Sequence, residues 1–226
     1  GYREHTRIDP DDVVFTGGRF FLRREATLAL LAGGGSSRMG TPKSMLEYKG
    51  VPLLVYIYRR LSPLFKEVLV SVSSNERIPE ELSRAKVVAD EFAGRGPIAG
   101  IAASLRAASY ESVFVTACDI PTIHEELVLD MLDTARGCDV VVPKTRDGLL
   151  EPLHAVYNRG LLPKVTRLIE NGEKRIRMVY ASANTCYKVL NVDQDLTNIN
   201  TPEEYLATNP TADGRTRRQP GPDDRS

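Results

Sequence analysis

The sequence predicts an α/β domain of three layers, α/β/α, built on a mostly parallel, Rossmann-like sheet. Three observations lead there. Apolar runs rich in Val, Ile and Leu alternate with stretches of helical periodicity, the pattern of a sheet buried on both faces. Pro or Gly stands at several of the boundaries between them, where a helix starts or stops. At 226 residues, 42% of them hydrophobic, the chain can bury one core of this size, although length alone would also permit two small domains.

Residues 1–25 are mixed in charge and form an N-terminal extension with no function assigned; within it "VVFTGGRFFL" reads either as a hairpin around Gly17 and Gly18 or as an extended segment laid on the domain. "TLALLA" (27–32) is an apolar run ending in glycines, as a buried strand would. Pro52 opens a helix that places Leu53, Ile57, Leu61 and Leu64 on one face. Strands are expected at 67–73 and 86–90, and Pro97 starts a helix with Ile98, Ile101, Ala102 and Leu105 inward. "SVFVTAC" (112–118) is the next strand. Thr122 and Glu125 have the spacing of a capping box ahead of Leu127, Val128, Met131, Leu132 and Ala135, with Gly137 as the stop. "CDVVVP" (138–143) and "PLHAVY" (152–157) are further strands, and a helix from about 161 to 171 closes at Gly172. Thr201 and Pro202 have the character of an N-cap and a first helical residue. Residues 209–226 are polar, charged and rich in Pro and Gly, the composition of a disordered tail.

Charge and cysteine usage narrow the function classes. Thirty basic and thirty acidic residues cancel, so no overall field favours nucleic acid or an acidic membrane. No apolar run approaches the ~20 residues of a membrane span. Cys118, Cys138 and Cys186 lack C-x-x-C spacing, which argues against a cysteine zinc site and a disulfide framework and for buried thiols in a reducing cytoplasm.

In an open parallel sheet, ligands bind at the carboxyl ends of the strands, which directs attention to "LAGGGSSRMGTPK" (31–43). Glycines let another molecule approach the backbone, and successive amides in such a loop make an anion nest. Arg38 and Lys43 add charge-assisted donors, and Ser36 and Ser37 add hydroxyls. An ordinary strand-to-helix turn needs one glycine and no cations; this segment describes a polyphosphate cradle. It is not a Walker loop, because Gly40 is followed by Thr41, Pro42 and Lys43. Nor is it the dinucleotide fingerprint, whose third glycine is replaced by Arg38. Kinase and dehydrogenase readings both lose ground.

Asp119, in "TACDIP", stands at the end of an apolar strand; facing the cradle, its carboxylate suits Mg²⁺, a hard ion that brings phosphate oxygens with it. A turn-initiating Asp is the alternative reading. Asp90 also ends a strand, six residues before "GPIAG". Asn198 and Asn200, in "NINTP", can contact a ligand or metal, although capping the next helix explains them almost as well. His154 reads as a structural histidine of its strand.

These pieces, in this order, resemble the molybdenum cofactor guanylyltransferases. The resemblance rests on "LAGGGSSRMGTPK", "GVPLL" (50–54), "GPIAG" (96–100), "CDIP" (118–121), "EPLHAVY" (151–157) and "NINTPEE" (198–204), and spans about residues 27–207. It implies a fold of the nucleotidyltransferase type over 26–208, and an enzyme joining GMP from GTP to molybdopterin with Mg²⁺. By position it implies that Leu31, Ala32, Gly33 and Gly34 wall the guanine, that Lys43 contacts the phosphates, and that Asn75 and Asp90 contact the nucleotide. Asp119 would bind both GTP and Mg²⁺, and Asn198 and Asn200 would lie near the pterin phosphate. Many members carry Asp before the loop lysine; here it is Pro42, which removes a carboxylate. Handover of product to an insertion chaperone or molybdoenzyme is also implied. A related transferase using CTP or a sugar phosphate, and a GTP-binding subunit without turnover, are the competing expectations.

Overall fold

A computed structural model describes residues 9–32, 42–72, 78–90, 92, 94–191, 194, 196, 198, 199 and 201–209. The expected tail therefore lies outside the described residues, apart from Asn209.

The N-terminal hairpin pairs β1 (Val13–Thr16) with β2 (Arg19–Leu22), turning through Gly17 and Gly18 at φ +58° and +82°, a region few side chains tolerate. Next come β3 (Arg24–Leu31), a short ribbon of β4 (Glu47–Tyr48) and β5 (Val51–Pro52), and α1 (Leu53–Leu61). The chain continues through β6 (Phe65–Val72), β7 (Lys86–Ala89), α2 (Pro97–Ala107), β8 (Ser112–Ala117) and α3 (Glu125–Thr134). Then follow β9 (Val140–Lys144), β10 (His154–Asn158), α4 (Leu162–Glu170), α5 (Arg177–Tyr180), β11 (Thr185–Val189) and α6 (Pro202–Thr208).

Seven strands make the main sheet in the order β11-β9-β10-β8-β3-β6-β7. All neighbours run parallel except β10, which is antiparallel to both β8 and β9. β3 is central and buried on both faces over Ala26 to Leu31, which is why its sequence is a continuous apolar run rather than an alternating one. Its side chains then divide between two cores. Leu28 and Leu30 pack with α1 and α3, whereas Ala29 and Leu31 pack with α2, α4 and α5. The three-layer architecture follows.

Helix boundaries obey local chemistry. Leu53, Ile57, Leu61 and Leu64 are all fully buried, as the spacing predicts. α4 ends in a Schellman arrangement: Gly172, at φ +84°, donates to the Ile169 carbonyl (2.9 Å) and Glu173 to that of Leu168 (2.9 Å). At α6 the capping box is complete, Thr201 accepting from the Glu204 amide and Glu204 from that of Thr201.

Two expectations are corrected. The Thr122–Glu125 capping box does not form: α3 starts at Glu125 with His124 as its N-cap. The Glu125 carboxylate turns instead to Arg60 of α1, accepting from Nε at 2.6 Å; a charge-assisted pair outcompetes a local cap. The second concerns the thiols. Cys138 and Cys186 form a disulfide, with Cα atoms 6.0 Å apart, while Cys118 is a buried thiol. Parallel pairing of β11 with β9 brings the two together, and β11 carries no strong signal of its own. Disulfides persist in oxidising compartments and inside hyperthermophiles, so the cysteines no longer argue for a reducing cytoplasm. No helix among the described residues is long and apolar enough to cross a membrane.

Candidate active site

The strand order reverses between β3 and β8: the chain leaves β3 for β6 and β7 on one side, then crosses to β8 on the other. A crevice opens at the carboxyl ends on either side of such a switch point. Ala32 continues β3 by donating to the Ser71 carbonyl (2.9 Å), and Cys118 continues β8 by donating to that of Leu31 (3.4 Å). Leu31, Ala32 and Asp119 thus stand together at this edge. Gly100 lets α2 close on it: a Cβ there would lie 3.2 Å from Leu31 Cδ2 and 3.3 Å from Ser71 Oγ.

Asp119 is the best-fixed group. Its carbonyl accepts from the Ile199 amide at 2.7 Å. Its Oδ2 accepts from Lys43 Nζ at 3.1 Å, and each of the two side chains is 21% exposed. Its Oδ1 is buried and has no hydrogen-bond partner among the described residues. A buried anionic oxygen without a donor is costly, and a hard cation is what such an atom lacks. Among the described residues no group of three acidic, His or Cys side chains could hold a metal. Mg²⁺ is commonly held by one or two carboxylates together with water and substrate phosphates. The residues present therefore fit the ion.

Asp90 follows β7. Its amide donates to Val72 (3.1 Å), and its Oδ1 accepts from the Phe92 amide (2.8 Å), so the carboxylate braces the turn before α2. Three strand spacings separate it from Asp119, or roughly 14 Å. Asn198 precedes Ile199, whose amide donates to the Asp119 carbonyl (2.7 Å). Arg38, Gly33, Gly34, Asn75 and Asn200 lie outside the described residues.

Glu151 was legible only as part of the "EPLHAVY" string. It is half-buried, and burial, with the Asp119 charge adding to it, raises its pKa above the ordinary carboxylate value. His154 is fully buried, with Nδ1 3.1 Å from Thr116 Oγ1. Burial, then the nearby His124, lowers its pKa to about 3, so it is neutral and structural, as expected.

A cavity of about 680 Å³ lies at the opposite, amino-terminal edge, lined by Arg23, Arg24, Tyr110 and Arg136 among others.

Comparison with known proteins agrees with the geometry. Residues 28–186 match the family model described as the MobA-like NTP transferase domain. A probable molybdenum cofactor guanylyltransferase of Carboxydothermus hydrogenoformans is 32% identical over 188 residues, 79% of this chain and 92% of that protein. The molybdenum cofactor guanylyltransferase of Vibrio atlanticus is 31% identical over 188 residues, 81% of this chain and 95% of that protein. Among solved structures, molybdopterin-guanine dinucleotide biosynthesis protein A of Archaeoglobus fulgidus superposes with a TM-score of 0.68 at 27% identity, covering 83% of this chain and 99% of that one.

Proposed function

The chain belongs to the MobA-like NTP transferase family, and we propose that it transfers GMP from GTP to molybdopterin, releasing pyrophosphate. The observation that carries the reading is the Lys43–Asp119 pair at the switch-point edge, with one Asp119 oxygen buried and without a hydrogen-bond partner among the described residues. The names of the relatives supply the substrates.

The terminal phosphate of molybdopterin is already an anionic nucleophile at neutral pH, so no strong general base is needed. It attacks the α-phosphorus in line; a P–O bond forms, the α–β anhydride breaks, and pyrophosphate departs with the bonding pair. The obstacle is the meeting of two anions, so positioning and charge neutralisation dominate. In this reading Lys43, Arg38 and the amides of 33–41 neutralise the α-phosphate and the leaving group. Leu31, Ala32, Gly33 and Gly34 wall the base, and Asn75 and Asp90 hold the nucleoside on the β6 and β7 side. Asn198 and Asn200 face the acceptor on the other side. Asp119 would hold Mg²⁺, which when bound supplies Lewis-acid charge neutralisation at the phosphate oxygens.

The test is pyrophosphate release with Mg²⁺ and molybdopterin-loaded protein, comparing GTP, CTP, ATP and UTP. Acceptor-dependent release with GTP alone is expected. Release with CTP instead would change the product, and GTP binding without release would make the chain a binding subunit. Asp119→Ala should abolish turnover with an unchanged circular dichroism spectrum; retained activity would remove Asp119 from the metal site.

A further inference from the structure

We propose that the β1–β2 hairpin is a self-association surface, its outward face packing on the same face of a second copy of this chain about a two-fold axis. The inference goes beyond guanylyl transfer and does not depend on it.

The hairpin is apolar on both faces. Its ladder pairs Val13 with Leu22 and Phe15 with Phe20, and, between them, Val14 with Phe21. Alternation along each strand sends these two sets to opposite sides. Val14 and Phe21 pack inward, against the core shared with α1 and α3. The tip is tied down by Thr16, whose hydroxyl donates to the Arg60 carbonyl (3.5 Å), and by an ion pair between Arg19 and Glu126 of α3. The outward set is left in solvent: Val13 is 44% exposed, Phe15 62%, Phe20 75% and Leu22 38%. The Phe15 and Phe20 ring centroids are 4.9 Å apart, the separation of an aromatic pair, so the two rings form one ridge. A sheet with one face in water needs polar side chains on that face; strands apolar on both sides are the pattern of strands covered on both sides. The hairpin also precedes residues 28–186, which match the family, so the shared fold does not call for this face.

Area and shape point to a second copy. The four side chains present roughly 400 Å² of apolar surface, the size of patch that marks an interaction site on a monomer. Two such patches face to face bury about 800 Å², and the polar rim of each hairpin brings that towards the ~1,200 Å² at which weak, transient complexes end and standard interfaces begin. The two ends of the face differ in height. The phenylalanine ridge stands out near the tip, while Val13 and Leu22 lie lower near the base. An antiparallel two-fold arrangement seats each ridge over the partner's Val13 and Leu22, large against small, at the ~10 Å spacing of stacked sheets. A lipid surface fits less well. Asp9 and Asp11 are exposed at the base and Glu126 at the tip, and all three repel anionic headgroups.

Sedimentation of the full 226-residue chain over about 1–100 µM tests this; a monomer–dimer equilibrium is expected within that range for an interface so small. Phe15→Thr/Phe20→Thr keeps β-forming residues and removes the ridge. It should raise the dimer Kd about 30-fold or more, the effect of losing an interface hot spot. Val13→Lys leaves the ridge intact and charges its seat on the partner, and should weaken the dimer as much. Both variants should unfold at the wild-type temperature when monomeric, because the altered side chains face solvent. A wild-type chain that stays monomeric throughout would overturn the proposal. So would a dimer that survives Phe15→Thr/Phe20→Thr, which would place the interface elsewhere. A dimer lost in that variant but kept in Val13→Lys would overturn the antiparallel seating. Association that appears only after deletion of residues 1–8 would overturn the proposal by giving the face to that segment. Co-sedimentation of a monomeric chain with phosphatidylcholine–phosphatidylglycerol vesicles, abolished by Phe15→Thr/Phe20→Thr, would overturn it in favour of a lipid surface.

Discussion

Reducing the Cys138–Cys186 bond should cost the fold more than any single surface change. The two residues are 48 positions apart. Cross-linking at that separation removes roughly 14 cal/mol/K of loop-closure entropy from the unfolded chain, or about 4 kcal/mol at 25 °C. With unfolding entropies of roughly 2.1 cal/mol/K per residue, a cooperative unit of about 180 residues should lose about 10 °C in Tm. The native side of the balance points the same way. β11 lies at the edge of the main sheet, held by its ladder to β9 and an ion pair between Lys188 and Asp130, with Tyr187 and Val189 exposed. The assay is thermal unfolding with and without a phosphine reductant, alongside Cys138→Ala/Cys186→Ala and a thiol titration in denaturant. Unreduced protein should titrate one thiol, Cys118, and reduced protein three. Three thiols before reduction would refute the bond. A confirmed bond whose loss moved stability by under about 1 kcal/mol would refute the loop-entropy reasoning.

Other predictions follow from the same structure. Lys43→Ala should lower turnover by on the order of 10²-fold, as loss of one transition-state charge contact does, with an unchanged urea midpoint; a change of under about threefold would sink its phosphate role. His154, neutral in the fold with its pKa lowered to about 3, gives a pH-dependent stability. The unfolded chain takes up its proton first as pH falls below ~6.5, so stability should drop by about 1.4 kcal/mol per pH unit below that value and level off only near the folded pKa. A His154→Phe variant should lose that part of the slope in urea titrations at pH 7 and pH 5; an identical slope would show that His154 does not carry it. Gly100→Val should cost ~1–3 kcal/mol through crowding at Leu31 and Ser71, and should raise the KM for GTP; full stability would mean that α2 sits more loosely on β3 than the contacts imply.

The legible parts of this chain are those whose signal is local. Continuous apolar runs identified β3, β6 and β8, because a strand covered on both faces has no polar side to show. Pro52, Pro97 and Pro202 marked helix starts, and Gly172 marked an end, because each acts through its own backbone geometry. Asp119 and Lys43 were found from the same kind of evidence, an anion and a cation beside a glycine-rich turn after buried strands. β11 was missed because "TCYKV" is short and half-exposed, with neither an apolar run nor clean alternation. The false capping box at Thr122 shows the converse failure: the spacing was right, but Arg60, from another helix, offered Glu125 a stronger partner.

By itself, then, the sequence determined most element types and the strand ends where chemistry could reside, since hydrophobic period, proline geometry and side-chain chemistry are properties of adjacent residues. Only the tertiary structure decided which distant residues meet. It set β10 antiparallel between β8 and β9, joined Cys138 to Cys186, and closed Lys43 on Asp119. Those pairings depend on strand order and register, which minimise exposed apolar surface and unpaired backbone groups over the whole sheet, and no local stretch of the chain carries that information.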